Sequence, residues 1–197
     1  MKKTSIIFVA LGILALMALP AGALVINNAG FVGDNFITDF STPGTLNFDA
    51  LFFNNQPVSL DIGITADDPF GLLAFSANVT NATALEWSGF GIELGGGPTF
   101  AEINSFTPAS GGGFTINPVS STEVFISFAP PEPQGFFLGD AFFNDPAFVW
   151  LIENLDLGSG ASFTMDLTPQ PVPVPPTLVL LGSGLLGLAA AARRRQK

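Results

Sequence analysis

Apolar and polar residues alternate with a period of two through most of the middle of this chain. Val58-Ser59-Leu60-Asp61-Ile62-Gly63-Ile64-Thr65 is the clearest run. Leu73, Phe75, Ala77 and Val79 repeat it against Ser76, Asn78 and Thr80, and Phe90, Ile92 and Leu94 against Gly91, Glu93 and Gly95. Val124, Ile126 and Phe128 follow the same rule, as do Phe163, Met165 and Leu167 against Thr164, Asp166 and Thr168, and Leu46, Phe48, Ala50 and Phe52. Successive side chains of a strand point to opposite faces, so this period puts one face on a core and the other in water. Turn clusters separate the runs: Thr42-Pro43-Gly44, Asp67-Asp68-Pro69, Gly95-Gly96-Gly97-Pro98, Gly111-Gly112-Gly113, Pro130-Pro131-Glu132-Pro133 and Gly158-Ser159-Gly160. Short strands at regular spacing with Gly and Pro between them predict an all-β fold, an antiparallel β-sandwich that is jelly-roll-like or a barrel, over residues 24–170. Val58, Leu60, Ile62, Phe75, Ile92, Val124, Ile126 and Phe163 are expected to face inward.

At the two ends the pattern is different. Ile6 to Leu19 is apolar apart from Gly12, follows Lys2 and Lys3, and ends at Pro20. Ala21-Gly22-Ala23 then puts small side chains where a signal peptidase pocket admits nothing larger. Residues 1–23 therefore read as a secretory signal peptide cleaved after Ala23, a substrate of signal peptidase and the Sec export machinery. Near the other end, Leu178–Ala192 contains only Leu, Val, Ala, Gly and one Ser. As a helix it is about 22 Å long, short of the roughly 30 Å hydrocarbon core. Including Val172–Thr177, with the terminal arginines snorkelling, covers the deficit. Thr168–Pro176 reads as a stiff extended spacer ahead of it.

Charge sharpens this picture. All 6 Lys and Arg residues are terminal: Lys2, Lys3, Arg193, Arg194, Arg195 and Lys197. Positive charge marks the cytoplasmic side of a membrane. Both ends thus put the same middle segment outside the cytoplasm.

A proline-containing motif, a short Leu/Gly-rich helix and an Arg cluster, in that order, resemble the PEP-CTERM sorting domain. The residues that carry the resemblance are Val172, Pro173, Val174, Pro175 and Thr177, then Gly182-Ser183-Gly184-Leu185-Leu186-Gly187-Leu188, then Arg193, Arg194 and Arg195. It covers residues 171–197. Val174 stands where that family usually has Glu. The resemblance implies a Gram-negative host that makes exopolysaccharide. It also implies an exosortase-type membrane protease as partner, transient anchoring in the inner membrane by the C-terminal helix, and delivery to the cell surface or outside the cell. Asn78–Thr83 with Trp87–Gly95, and Leu157–Phe163, are similar to stretches of passenger domains in the same class.

The middle segment carries all 16 Asp and Glu residues and no Lys or Arg, a formal charge of −16. The chain has no His, Cys or Tyr. Without His or Lys there is no Ser-His-Asp triad, Ser-Lys variant or Schiff base. Without Cys or His there is no ordinary zinc, copper or haem site and no disulfide. Without a cation, phosphates and nucleic acid meet only repulsion. Carboxylate chemistry, hard cations, aromatic stacking and packing remain.

Four candidate features use that remainder. Asp67, Asp68, Asp140, Asn144 and Asp145 offer oxygen ligands in turns, which makes calcium the one cofactor left open; Asp and Asn also favour turns for their own sake. Glu86 and Glu93 flank Trp87 and Phe90, in the manner of paired carboxylates beside an aromatic; exposed strand residues give the same letters. Trp87 and Trp150 could stack on sugar rings or fill a Phe-rich core. Asn78-Val79-Thr80 and Asn81-Ala82-Thr83 spell glycosylation sequons, and equally a strand end and its turn. No catalytic residue is assigned. The reading that results is a non-enzymatic cell-surface or matrix protein, structural or interacting, associated with exopolysaccharide or biofilm. A carbohydrate- or calcium-binding module is the alternative, and a carboxylate-dependent enzyme acting on polysaccharide the third.

Overall fold

A computed structural model describes residues 24–65, 71–103, 105–139, 150–153 and 160–173. The expected signal peptide and the apolar segment Leu178–Ala192 lie outside the described residues. The strands of the first half are β1 (Val25–Ile26), β2 (Gly30–Val32), β3 (Asn35–Asp39), β4 (Thr45–Phe52), β5 (Val58–Gly63), β6 (Leu72–Asn81) and β7 (Trp87–Gly95). Those of the second half are β8 (Thr99–Glu102), β9 (Phe106–Pro108), β10 (Gly113–Pro118), β11 (Glu123–Glu132), β12 (Gly135–Leu138), β13 (Trp150–Glu153) and β14 (Ser162–Pro171). Among the described residues every regular element is a strand, and no helix is long and apolar enough to cross a membrane.

Two sheets result. One has the order β1-β5-β14-β7-β11-β10; the other runs β2-β3-β4-β6-β12-β9, with β13 also pairing β6 and β8. Their inner faces share a single apolar cluster. The period-two reading is right about which side chains make it. Val58, Leu60, Ile62, Phe75, Ile92, Val124 and Ile126 are completely buried, and Phe163 is 2% exposed. Between the layers, the Phe52 ring of the second sheet meets Trp87 edge-on at 5.5 Å and Phe90 at 5.7 Å, and Phe136 meets Phe90 at 4.9 Å. Burying each such ring stabilises the fold by about 1.5–3 kcal/mol before ordering costs, and edge-to-face contact adds to that.

The pairing is not antiparallel throughout, as the alternation alone suggested. β4 and β6 pair in parallel, from Thr45↔Ala74 to Phe52↔Asn81. The chain leaves β4, crosses to the other sheet as β5, and returns as β6. Two reversals restore the original direction, so two strands flanking such an excursion must run the same way.

Two proline-rich stretches also behave differently from expectation. Thr168–Pro171 is not spacer but the end of β14, in register with Gly91 to Trp87 of β7. Prolines are tolerated there because β14 pairs with β5 only as far as Leu167. Beyond that point one side of the strand is an edge, where a missing N–H costs no ladder bond. Pro130, Pro131 and Glu132 likewise belong to β11 rather than to a turn. They lie in an irregular stretch between Ser127 and Glu132 where the register with β7 shifts, and a bulge tolerates proline for the same reason.

Candidate functional site

The register of the first sheet fixes where the two expected processing junctions lie. Gly63 of β5 is opposite both Val25 of β1 and Ser162 of β14. Leu24, the residue after the expected cleavage, is buried, so the fold starts at the Ser162 end. β14 then runs to Pro171, about 30 Å away at the rise of a strand. Val172 continues its line, its N–H donating to Glu86 O at 2.9 Å, and Pro173 is exposed. The chain therefore enters and leaves at opposite poles of the sandwich. Of the sorting residues named from sequence, Val172 and Pro173 are at this exit; Ala21, Ala23, Val174, Pro175, Thr177, Arg193, Arg194 and Arg195 lie outside the described residues.

The exit pole holds most of the buried polar chemistry. Glu132 is 1% exposed and opposite Trp87, which is itself opposite Pro171. Its Oε1 accepts Gln134 N–H at 2.9 Å and Gly135 N–H at 3.2 Å. Its Oε2 accepts the Ser110 N–H at 3.3 Å and the Ser110 hydroxyl. Four donors thus stand in for the cation that the domain lacks, and charge-assisted bonds of this kind are the strong ones. The turn beneath depends on Gly135, at φ +116°, where a Cβ would come within 2.0 Å of Val79 O. Sequence reading assigned Glu132 only to a turn. The signal it missed is an acid in an apolar strand followed by a glycine three residues on.

Two asparagines finish the pole. Asn81 Oδ1 accepts the Thr83 N–H at 3.0 Å and hydroxyl at 2.7 Å, while its Nδ2 donates to Leu85 O at 2.9 Å. At 7% exposure with its amide engaged, Asn81 is the strand end and turn that the sequon letters also allowed. Asn35, 1% exposed, accepts Phe53 and Asn54 N–H on Oδ1 and donates to Asn54 Oδ1 and Gln56 O. It ties β3 to the loop after β4.

The remaining candidates disperse. Trp87 and Trp150 are completely buried, their indole N–H groups donating to Asn55 Oδ1 at 2.8 Å and Ser105 O at 2.7 Å. Neither offers a face to a sugar. Glu86 and Glu93 are exposed at opposite ends of β7, about 23 Å apart along the strand, far beyond the spacing that glycoside hydrolysis uses. Asp67, Asp68, Asp140, Asn144 and Asp145 lie outside the described residues. Among the described residues no group of three or more acids could hold a metal ion. Glu93 does stand in register with Asp166 on one side and Glu123 on the other, three carboxylates in a row across the outer face of the first sheet. The outer face of the second sheet has an apolar counterpart: Phe31, Phe36 and Leu51 are in cross-strand register, and Phe31 is 75% exposed.

Comparison with known proteins finds no matching family model, no similar curated protein and no similar solved structure.

Proposed function

We propose that this chain is an exported surface or matrix protein whose acidic β-sandwich is presented outside the cell as a structural or interaction module, without catalysis of its own, and is sorted by an exosortase-type protease. The observation that carries the reading is the exit of β14. A central strand of the first sheet runs directly out of the fold at Val172 into Pro173, so the proline motif begins where the sandwich ends. A membrane protease needs an extended substrate, and Pro173, Pro175 and Pro176 favour that conformation. The segregation of all 6 cations to the termini supports the same topology. The separation of Glu86 from Glu93 and the burial of both tryptophans weigh against a polysaccharide-cleaving site. The finer fold class we assign is a jelly-roll-like sandwich, since the chain alternates between the sheets from β4 through β8.

The test is mass spectrometry of the surface form in a host that has an exosortase. The expected product begins at Leu24 and lacks Arg193–Arg195, and deletion of the exosortase leaves an intact inner-membrane form. A surface form that retains Arg193–Arg195 refutes the sorting reading.

One observation favours a second reading, a carbohydrate-binding module. The row of exposed Phe31 with half-buried Phe36 and Leu51 is an apolar strip on the outer face of the second sheet, and a domain with no cation suits neutral rather than acidic glycan. Affinity electrophoresis in neutral polysaccharide decides it: retardation abolished by Phe31→Ala supports the module, and none for the parent protein rejects it.

A further inference from the structure

We infer that the exit pole of the sandwich is a membrane-docking face, which rests Phe31, Phe53 and Leu85 on the surface of a zwitterionic bilayer while the chain is still anchored. The inference rests on the proposed reading of residues 172–197 as an anchor and adds a second contact to it. β14 leaves the fold at Val172 and Pro173, and the apolar run from Leu178 begins five residues further on. Five residues span at most about 18 Å even when fully extended. An anchored sandwich is therefore held with this pole, and not the opposite one, against the lipid headgroups.

Three connections reach the pole, and each exposes one large apolar side chain. The β2–β3 hairpin carries Phe31, 75% exposed; the chain after β4 carries Phe53, at 52%; the β6–β7 connection carries Leu85, at 38%. Their bonds link them one to the next and finally to the exit strand. Val32 pairs with Asn35 in the hairpin, and Asn35 Oδ1 accepts the Phe53 N–H at 3.0 Å. Phe52 is opposite Asn81, whose Nδ2 donates to Leu85 O at 2.9 Å. The next carbonyl, Glu86 O, accepts the Val172 N–H at 2.9 Å. The tips are thus fixed before any lipid arrives, so little ordering is lost on contact. Single exposed apolar residues need no explanation; three on the pole from which the anchor departs have one.

Charge selects the lipid. The exposed charges beside these tips are Asp34 and Glu86, both acidic, and the middle of the chain has no cation to answer an anionic headgroup. Anionic lipid repels the pole. A zwitterionic surface does not, and its interface takes up apolar side chains. Three side chains hold weakly alone, but a tethered pole meets the surface at an effective concentration on the order of millimolar. Contact is made while the anchor is present and lost when it is cut. Meanwhile it keeps Pro173 at headgroup level, within reach of a membrane protease.

The chain contains no Cys, so a single cysteine can carry a nitrobenzoxadiazole probe. The test uses residues 24–197, the form expected after signal-peptide cleavage, in phosphatidylcholine vesicles. Probes are placed singly by Phe31→Cys, Phe53→Cys and Leu85→Cys, with Leu72→Cys and Val119→Cys as controls. Both controls are exposed and apolar but belong to the opposite pole, where β6 starts and the β10–β11 connection turns. The expected result is quenching by doxyl-labelled lipid at least threefold stronger at the exit pole than at the controls, and weaker in phosphatidylglycerol at low salt. Phe31→Glu and Phe53→Glu together should abolish it at Leu85→Cys without releasing the chain from the vesicles. Flotation reports the anchor separately. A chain that does not float overturns the anchor and the docking with it. One that floats with exit-pole probes quenched no more than the controls overturns the docking alone, as does quenching that survives the glutamates or strengthens in phosphatidylglycerol. A Phe31→Cys probe that responds to soluble neutral polysaccharide and not to lipid assigns the surface to glycan and overturns the docking equally.

Discussion

Removing the Glu132 carboxylate should weaken the whole sandwich, because four donors converge on it and one of them has nowhere else to go. In Glu132→Ala the Gly135 N–H is left in the buried part of the turn without a partner, at a cost of about 1–3 kcal/mol. Ser110 and Gln134 are exposed, so their three donors recover water and lose about 0.5 kcal/mol each. The missing side-chain carbons leave a small cavity worth about 1 kcal/mol. Against this, the mutant no longer keeps a carboxylate out of water, a relief of about 1–2 kcal/mol for an ion this well bonded. The net expectation is about 1.5–4.5 kcal/mol of destabilisation. Glu132→Gln should fall between, near 1–2 kcal/mol: its amide oxygen serves Gln134 and Gly135, but its NH2 group faces the Ser110 N–H. Urea unfolding followed by tryptophan fluorescence measures both, with an unchanged m-value as evidence that the unfolded state is the same. If Glu132→Ala lies within 0.5 kcal/mol of the parent, or Glu132→Leu is more stable, the carboxylate is a tolerated burden and not an anchor.

Three further outcomes follow from the geometry. Gly135→Ala should lose more than about 3 kcal/mol, since its Cβ would overlap Val79 O at a left-handed φ; soluble, cooperatively unfolding protein at parental stability would contradict this. Glu93→Lys should stabilise by about 0.4–2 kcal/mol, because it replaces two like-charge cross-strand pairs, with Asp166 and Glu123, by two opposite ones. That gain should shrink at high salt, and a destabilised variant would show that the row is not repulsive. Emission from Trp87 and Trp150 should be blue-shifted and barely quenched by acrylamide, as both are completely buried; strong quenching would mean that an indole reaches solvent.

The strands legible in the sequence are those whose two faces meet different surroundings. β5, β7 and most of β11 and β14 have a core on one side and water on the other, and alternation records that contrast. β2, β8, β9 and β13 have 3 or 4 residues each, too few for a period to declare itself. β10 is exposed on both sides at most positions, so nothing selected for an alternating pattern. The prolines of β14 and β11 misled for a related reason. Proline signals an absent donor, not an absent strand, and both stretches lie where a donor is dispensable. The parallel pairing of β4 with β6 depends on which layer each strand joins, and residue type does not encode that. At the exit pole the asparagine turn was readable in Asn81-Ala82-Thr83. The buried Glu132 was not, because three of its four donors are backbone N–H groups, identical for every sequence, and the fourth, the Ser110 hydroxyl, comes from a distant part of the chain.

The place of β14 also sets a schedule. It is the last strand among the described residues and yet lies in the interior of its sheet, between β5 and β7. Until it arrives, β1 and β5 share no ladder with β7, β11 and β10, and the first layer is two fragments. No chain that stops short of Ser162 can close the sandwich, however long it waits. The first sheet thus stays open until β14 is made, and the strand that closes it is the one leading into Pro173. Closure of the first sheet and arrival of β14 are one event.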